Sequence, residues 1–195
     1  KKKEFLTYDE QIAFLKGKNL KIKNEEYAKH ILFKTGYFSL VNGYKEMYKD
    51  PLTNQFREDA SFEDIYELYD FDNDLRNIFI KYILLAERNI KSSLSYHFCK
   101  EYGDLQSDYL NVNNYERLQI PKEKSRYTYG KNDLYAQVII LKLLLSTEDF
   151  HKFFHDLKMC FKKHSIHKEI LGKMGFPENW QRIGRIKNYI KSEIL

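Results

Sequence analysis

Apolar side chains along Ser61 to Lys100 recur in steps of three and four, at Phe62, Ile65, Leu68, Leu75, Ile78, Phe79, Tyr82, Leu85, Ala86, Ile90, Leu94 and Phe98. That spacing predicts one long helix, or two nearly collinear ones, of roughly 60 Å at about 1.5 Å per residue. Ser61 followed by Asp64 is a capping-box-like start, and Gly103 a plausible stop. Before it, Thr7 with Glu10 predicts a helix carrying Ile12, Phe14 and Leu15. Asn24 predicts a second, carrying Tyr27, Ala28, Ile31 and Leu32. After Gly103 the periodicity fails, and residues 104–132 offer no convincing helix. Helix is expected again at LYAQVIILKLLL, which is apolar nearly all round and therefore expected to be buried, with Ile139, Ile140, Leu143 and Leu144 in the core. A further helix holds Phe150, Phe153, Phe154, Leu157 and Phe161, a short helical turn is expected over Ile166 to Met174, and a last helix over Glu178 to Ile194. No strand pattern and no repeat occurs. The expected fold is all-α, a helical bundle around the helix at about 61–100, with a small N-terminal helical hairpin. The expected domain division is residues 1–50 for the hairpin and an aromatic and basic element, and 51–195 for the helical domain.

Charge refines this picture by dividing the long helix. Glu58 to Asp74 holds eight acids and no base, whereas Leu75 to Lys100 holds Arg76, Lys81, Arg88, Lys91 and Lys100 against Glu87. The acidic half is expected to face solvent or protein and to repel nucleic acid. The basic half places Lys81, Arg88 and Lys91 on one polar face, readable as a solvated surface or as one that meets phosphates. The chain as a whole carries +5 with a pI near 8.9, which is compatible with nucleic acid without requiring it. Aromatic residues reach 16%, which excludes a disordered chain.

The segment KTGYFSLVNGYKEMYKD alternates Tyr37, Phe38, Tyr44 and Tyr48 with Lys34, Lys45 and Lys49. Such alternation can stack bases and hold phosphates, or it can pack as a tyrosine-rich element whose lysines snorkel. The basic terminal helix adds Arg182 and Arg185. Contacts to RNA are therefore expected from Lys34, Tyr37, Tyr44, Lys45, Lys81, Arg88, Lys91, Arg182 and Arg185. Looped or single-stranded RNA is favoured, because a duplex hides the base faces.

No metal ligand set and no cofactor motif stands out. His151 and His155 lie four apart without a third ligand, and His164 and His167 sit in a basic stretch where solvation is expected. His97 falls on the apolar seam of the long helix, where a hydrogen-bonded core histidine is the favoured role. Cys99 and Cys160 are isolated, as in a reduced cytoplasmic protein. Without a signal peptide or a long apolar run, a cytoplasmic chain with no membrane segment is expected.

Several stretches, in order, resemble the Abi-like abortive-infection proteins of bacteria, the AbiD/AbiF group. They are FLTYDEQIAFLKGKNL, GYFSLVNGYKE at Gly36 to Glu46, SFEDIYELYDFDNDLR at Ser61 to Arg76, ERNIKSSLSYHFCKEYG at Glu87 to Gly103, YGKNDLYAQVIILKLLL at Tyr129 to Leu145, and MGFPENW at Met174 to Trp180. The resemblance implies a HEPN-type helical fold, antiphage defence, and RNA as target or partner. HEPN ribonucleases use an Arg and a His four to six residues apart on one helix, usually completed in a homodimer, for metal-independent RNA cleavage. This sequence contains no such pair, and Arg88 to His97 is too widely spaced. Glu116, Arg117 and Leu118 look like the residues that follow the family's His, so a segment before Glu116 is expected to be absent, either deleted or not represented in this numbering. Arg88, His97 and Arg117 are the remaining weak catalytic candidates. The resemblance leaves a ribonuclease toxin controlled by a small noncoding RNA, a non-catalytic RNA-binding module of a defence ribonucleoprotein, and a protein-interaction scaffold as alternatives.

Overall fold

A computed structural model describes residues 5–115, 134–164, 168–178 and 180–181 of the chain. The fold is all-α. In chain order the helices are α1 (Tyr8–Lys16), α2 (Glu25–Thr35), a π-helical turn (Phe38–Asn42), a 3-10 turn (Lys45–Met47), α3 (Phe62–Tyr102), α4 (Gln106–Leu110), a second 3-10 turn (Val112–Asn114), α5 (Leu134–Leu144), α6 (Thr147–Lys163) and α7 (Lys168–Lys173). Among the described residues the extended pairings are isolated bridges, Lys21 with Ser61 and Lys49 with Phe56.

The caps form where side-chain chemistry demands them. Thr7 N–H donates to the Glu10 carboxylate at 2.7 Å while Thr7 Oγ1 accepts from Glu10 N–H, closing the capping box of α1. Asn24 Oδ1 accepts from Tyr27 N–H at the start of α2. Ser61 and Asp64 close the same reciprocal pair ahead of α3. Gly103, at φ +104°, ends α3 in a conformation that a side chain resists. Between those limits 41 residues run as one helix, so the rod expected from the spacing is continuous.

The chain forms two compact units, Lys1–Arg76 with Cys160–His164, and Asn77–Met159 with Ser165–Leu195. In the first, Ile12, Leu15, Ala28, Ile31 and Leu32 of the N-terminal hairpin pack with Leu40, Phe56, Phe62 and Ile65. Glu63 strengthens the join by accepting N–H bonds from Lys23 and Asn24. In the second, Phe153 is fully buried with edge-on contacts to Phe79 at 5.3 Å and Tyr82 at 5.2 Å. Trp180 lies against Phe154 and Phe176.

The structure corrects the sequence expectations in several places. The segment after Gly103 is not irregular throughout, since α4 and the second 3-10 turn form there, with Tyr109 and Tyr115 against Phe98. These elements are too short to show a helical period. In α5, Val138 and Leu141 are buried, as is Leu145 just past its end, but Ile139, Ile140, Leu143 and Leu144 are 42–52% exposed. An 11-residue helix with one packed side buries one stripe, whatever the composition of the other. His97 is exposed rather than seated in the core, on a stretch of α3 where Ile90 and Leu94 are 47% and 67% exposed. Leu141→Asp should therefore cost several times more stability than Leu143→Asp, in urea midpoints followed by circular dichroism.

Candidate nucleic-acid interface

The N-terminal unit holds a groove of about 740 Å³ whose walls come from α1, the π-helical turn, the 3-10 turn at Lys45–Met47 and the loop before α3. In α1 the helical period turns Ile12 and Leu15 inward, which leaves Phe14 47% exposed at the groove. Gly36, at φ +78°, ends α2 and turns the chain into the π-helical turn. That turn buries Leu40 and Val41 and presents Phe38, 75% exposed, beside half-buried Tyr37. Phe5 completes the aromatic lining.

Lys18, Lys45 and Lys49 line the groove with these rings, and no carboxylate does. Lys18 Nζ lies 5.5 Å from the Phe14 ring centroid. Lys45 donates to Asn42 Oδ1 at 2.6 Å, so a neutral amide steadies its ammonium group without cancelling its charge, while Lys49 donates to Asn54 Oδ1 at 2.8 Å and also pairs with Glu46 at 3.8 Å. Gln11 donates to the Leu6 carbonyl, and its own buried Oε1 accepts no hydrogen bond. Burial pushes the Tyr37 phenol above its ordinary pKa, so it remains a neutral ring with a polar tip. The groove thus offers ring faces, cations and amides together, the set that single-stranded nucleic acid engages.

Of the residues expected to contact RNA, the structure brings Tyr37 and Lys45 together here. Lys34 is exposed but does not line the groove. Tyr44 turns away: its hydroxyl donates to Asp72, its ring meets Tyr69 edge-on at 5.7 Å, and burial with the adjacent carboxylate keeps it protonated. Sequence reasoning missed Lys18 and Gln11 and named Phe14 only as an apolar residue of the first helix, with Ile12 and Leu15. The one signal in the sequence was that 14 lies between the inward positions 12 and 15.

The basic stripe of α3 lies in the other unit. Lys81 is paired with Asp156 at 3.0 Å, an acceptor it shares with the Tyr82 hydroxyl, and Lys91 is paired with Glu87 at 2.6 Å. Arg88 is exposed. Nine residues, two and a half turns of helix, separate Arg88 from His97, so the two project from opposite sides of α3. They do not form one catalytic centre within a chain. Arg117, Arg182 and Arg185, and the expected last helix from residue 182 onward, lie outside the described residues.

The acidic half of α3 is neutralised from within its own unit. Arg76 pairs with Asp72 at 2.7 Å, and Lys163 with Asp74 at 2.7 Å and Asp70 at 3.5 Å. His164, expected in solvent, is 2% exposed and sits between Glu67 and Asp74. Its ring also meets Phe71 edge-on. The surrounding lysines made this stretch look solvated, but position 164 follows Cys160 on the inner side of α6. Hydrogen bonds from His164 and Lys163 hold the Asp74 carboxyl below its ordinary value of 3.8. The linkage sign is that of a depressed acid: its contribution is present above 3.8 and is lost as pH falls through the lower folded value. Asp74→Asn should therefore show a shallower loss of stability below pH 3.8 than the parent chain in acid unfolding curves.

The profile of the Abi-like protein family matches residues 30–190, and the chain belongs to that family. Family membership suggests abortive-infection defence. No curated protein and no solved structure gives a significant match. Among the described residues, no helix is long and apolar enough to cross a membrane.

Proposed function

We propose that this chain is an RNA-binding protein of abortive-infection defence, which grips single-stranded or looped RNA in the groove of its N-terminal unit. The observation that carries this reading is a groove walled by Phe5, Phe14, Tyr37 and Phe38, provided with three lysines and lined by no acid. Exposed rings accept unstacked bases, and the lysines neutralise phosphates. The ordered segments shared with the AbiD/AbiF group support a HEPN-type helical scaffold for this function, with a small noncoding RNA as the natural occupant. The binding reading is preferred to catalysis because Arg88 and His97 diverge on α3.

The test is direct measurement of RNA binding by the purified chain. Labelled single-stranded RNA should bind more tightly than a duplex of equal length, with log affinity falling linearly against log salt. Equal affinity for both forms, or binding without salt dependence, would remove RNA from the proposal and favour a protein-interaction scaffold. Cleavage of the RNA in the presence of a chelator would instead establish the metal-independent ribonuclease toxin. The Arg88→Ala, Lys91→Ala double variant should weaken binding and flatten the slope by about 0.7 for each phosphate no longer neutralised. An unchanged slope would exclude the basic stripe of α3 from the interface.

A further inference from the structure

Near the end of α6, Cys160 and His164 lie four residues apart and therefore on one side, where Asp74 of α3 meets them. The Cys160 sulfur, a His164 ring nitrogen and an Asp74 carboxylate oxygen all lie within 4.8 Å of one another. Cys160 and His164 are buried, while the Asp74 side chain retains 35% exposure. Thiolate sulfur, imidazole nitrogen and carboxylate oxygen are the donors that zinc takes from proteins.

The His164 imidazole supplies a second, independent observation. Its side chain is 1% exposed, with Nδ1 2.9 Å from Glu67 Oε1 and Nε2 2.8 Å from Asp74 Oδ2. A neutral imidazole carries one N–H and one lone pair. With Nδ1–H donating to Glu67, Nε2 can exchange its 2.8 Å contact with Asp74 for a bond to a metal ion. A carboxylate behind the imidazole is the usual orienting partner of a metal-bound histidine, and Glu67 occupies that place. A metal ion there would take one donor atom from each of the three groups.

We propose that Asp74, Cys160 and His164 form a zinc site, with Glu67 orienting His164 and water completing the coordination on the open side of Asp74. Tetrahedral bonds of about 2.0–2.3 Å put ligand atoms roughly 3.5 Å apart, so small side-chain rotations close this set around the ion. The charges balance: the dication meets one carboxylate and one thiolate, leaving a neutral centre at a buried position. Burial pushes the Cys160 thiol up to about 11 in the metal-free protein, so binding releases the thiol proton to solvent. Lys163 keeps Asp70 as its partner. Bound zinc would fasten the end of α6 to the acidic half of α3.

Cobalt(II) tests this site in the intact chain, because a tetrahedral cobalt thiolate is coloured. The chain contains two cysteines, and Cys99 is exposed. In chelator-treated Cys99→Ser, one equivalent of Co2+ should produce visible d–d bands and a near-ultraviolet thiolate-to-cobalt band that arises from Cys160 alone. Glu67→Gln should weaken Co2+ binding by about 10–100-fold while preserving the spectrum. Saturating Zn2+ should raise the unfolding midpoint of Cys99→Ser. Absence of the thiolate band in folded Cys99→Ser overturns the proposal. An unfolding midpoint unmoved by Zn2+ overturns it as well. His151→Gln with His155→Gln should leave the spectrum unchanged, and loss of the bands in that variant would place the ion on those exposed histidines instead.

Discussion

Phe71→Ala should destabilise the N-terminal unit by about 3–5 kcal/mol, seen as a large fall in the urea midpoint followed by far-ultraviolet circular dichroism. The ring is 1% exposed, with Phe161 at 5.6 Å and His164 at 5.7 Å. Position 71 lies well inside α3, where alanine is the best helix former, so the backbone gains slightly and the loss comes from packing alone. Neighbours held by the Glu67, His164 and Asp74 hydrogen bonds cannot collapse freely into the space, which places the cost toward the upper end. Against a total stability of about 5–15 kcal/mol for an ordinary domain, this is a large fraction. Phe33→Ala, at a position 72% exposed, serves as the reference. Equal midpoint shifts in the two variants would mean that Phe71 does not hold this core.

What the sequence could show of the fold was local. The three and four spacing of α3, the Thr7 and Glu10 box, the Asn24 cap and the Gly103 stop each depend on residues within a turn of one another, and the structure forms them all. The features that escaped depend on partners distant along the chain. His164 meets Glu67 across 97 positions, and Lys81 meets Asp156 across 75. Composition near His164 was basic, which suggested solvent, while the acids that bury it lay in another helix. The same limit applied to Tyr44, whose spacing from neighbouring lysines suited RNA until Asp72 of α3 took its hydroxyl. In α5 the apolar residues on the outer side gave no sign of how many faces would be covered. The groove was half legible: Tyr37 and Lys45 stood out in one alternating segment, but Phe14, Lys18 and Gln11 reach it from α1 and its end by tertiary folding.

Removing the two most accessible helical rings of the groove should separate stacking from charge. Phe14→Ala with Phe38→Ala should lower affinity for single-stranded RNA by about 1–3 kcal/mol per base unstacked, at least roughly 30-fold for the pair. The salt slope should stay unchanged, since every phosphate keeps its lysine. Lys18→Ala with Lys45→Ala should act in the opposite sense, flattening the slope by about 1.4 because each lysine releases about 0.7 of a counterion from a single strand. Phe14 and Phe38 are 47% and 75% exposed, so both pairs should keep the helical circular dichroism of the parent chain. The two signatures make the expectation specific. A nonspecific basic surface would respond to the lysine pair and ignore the rings, and an apolar protein-docking groove would respond to the rings in protein binding while RNA affinity stayed constant. Only bases stacked on Phe14 and Phe38, with phosphates held by Lys18 and Lys45, produce a loss of affinity at constant slope in one pair and a flattened slope in the other.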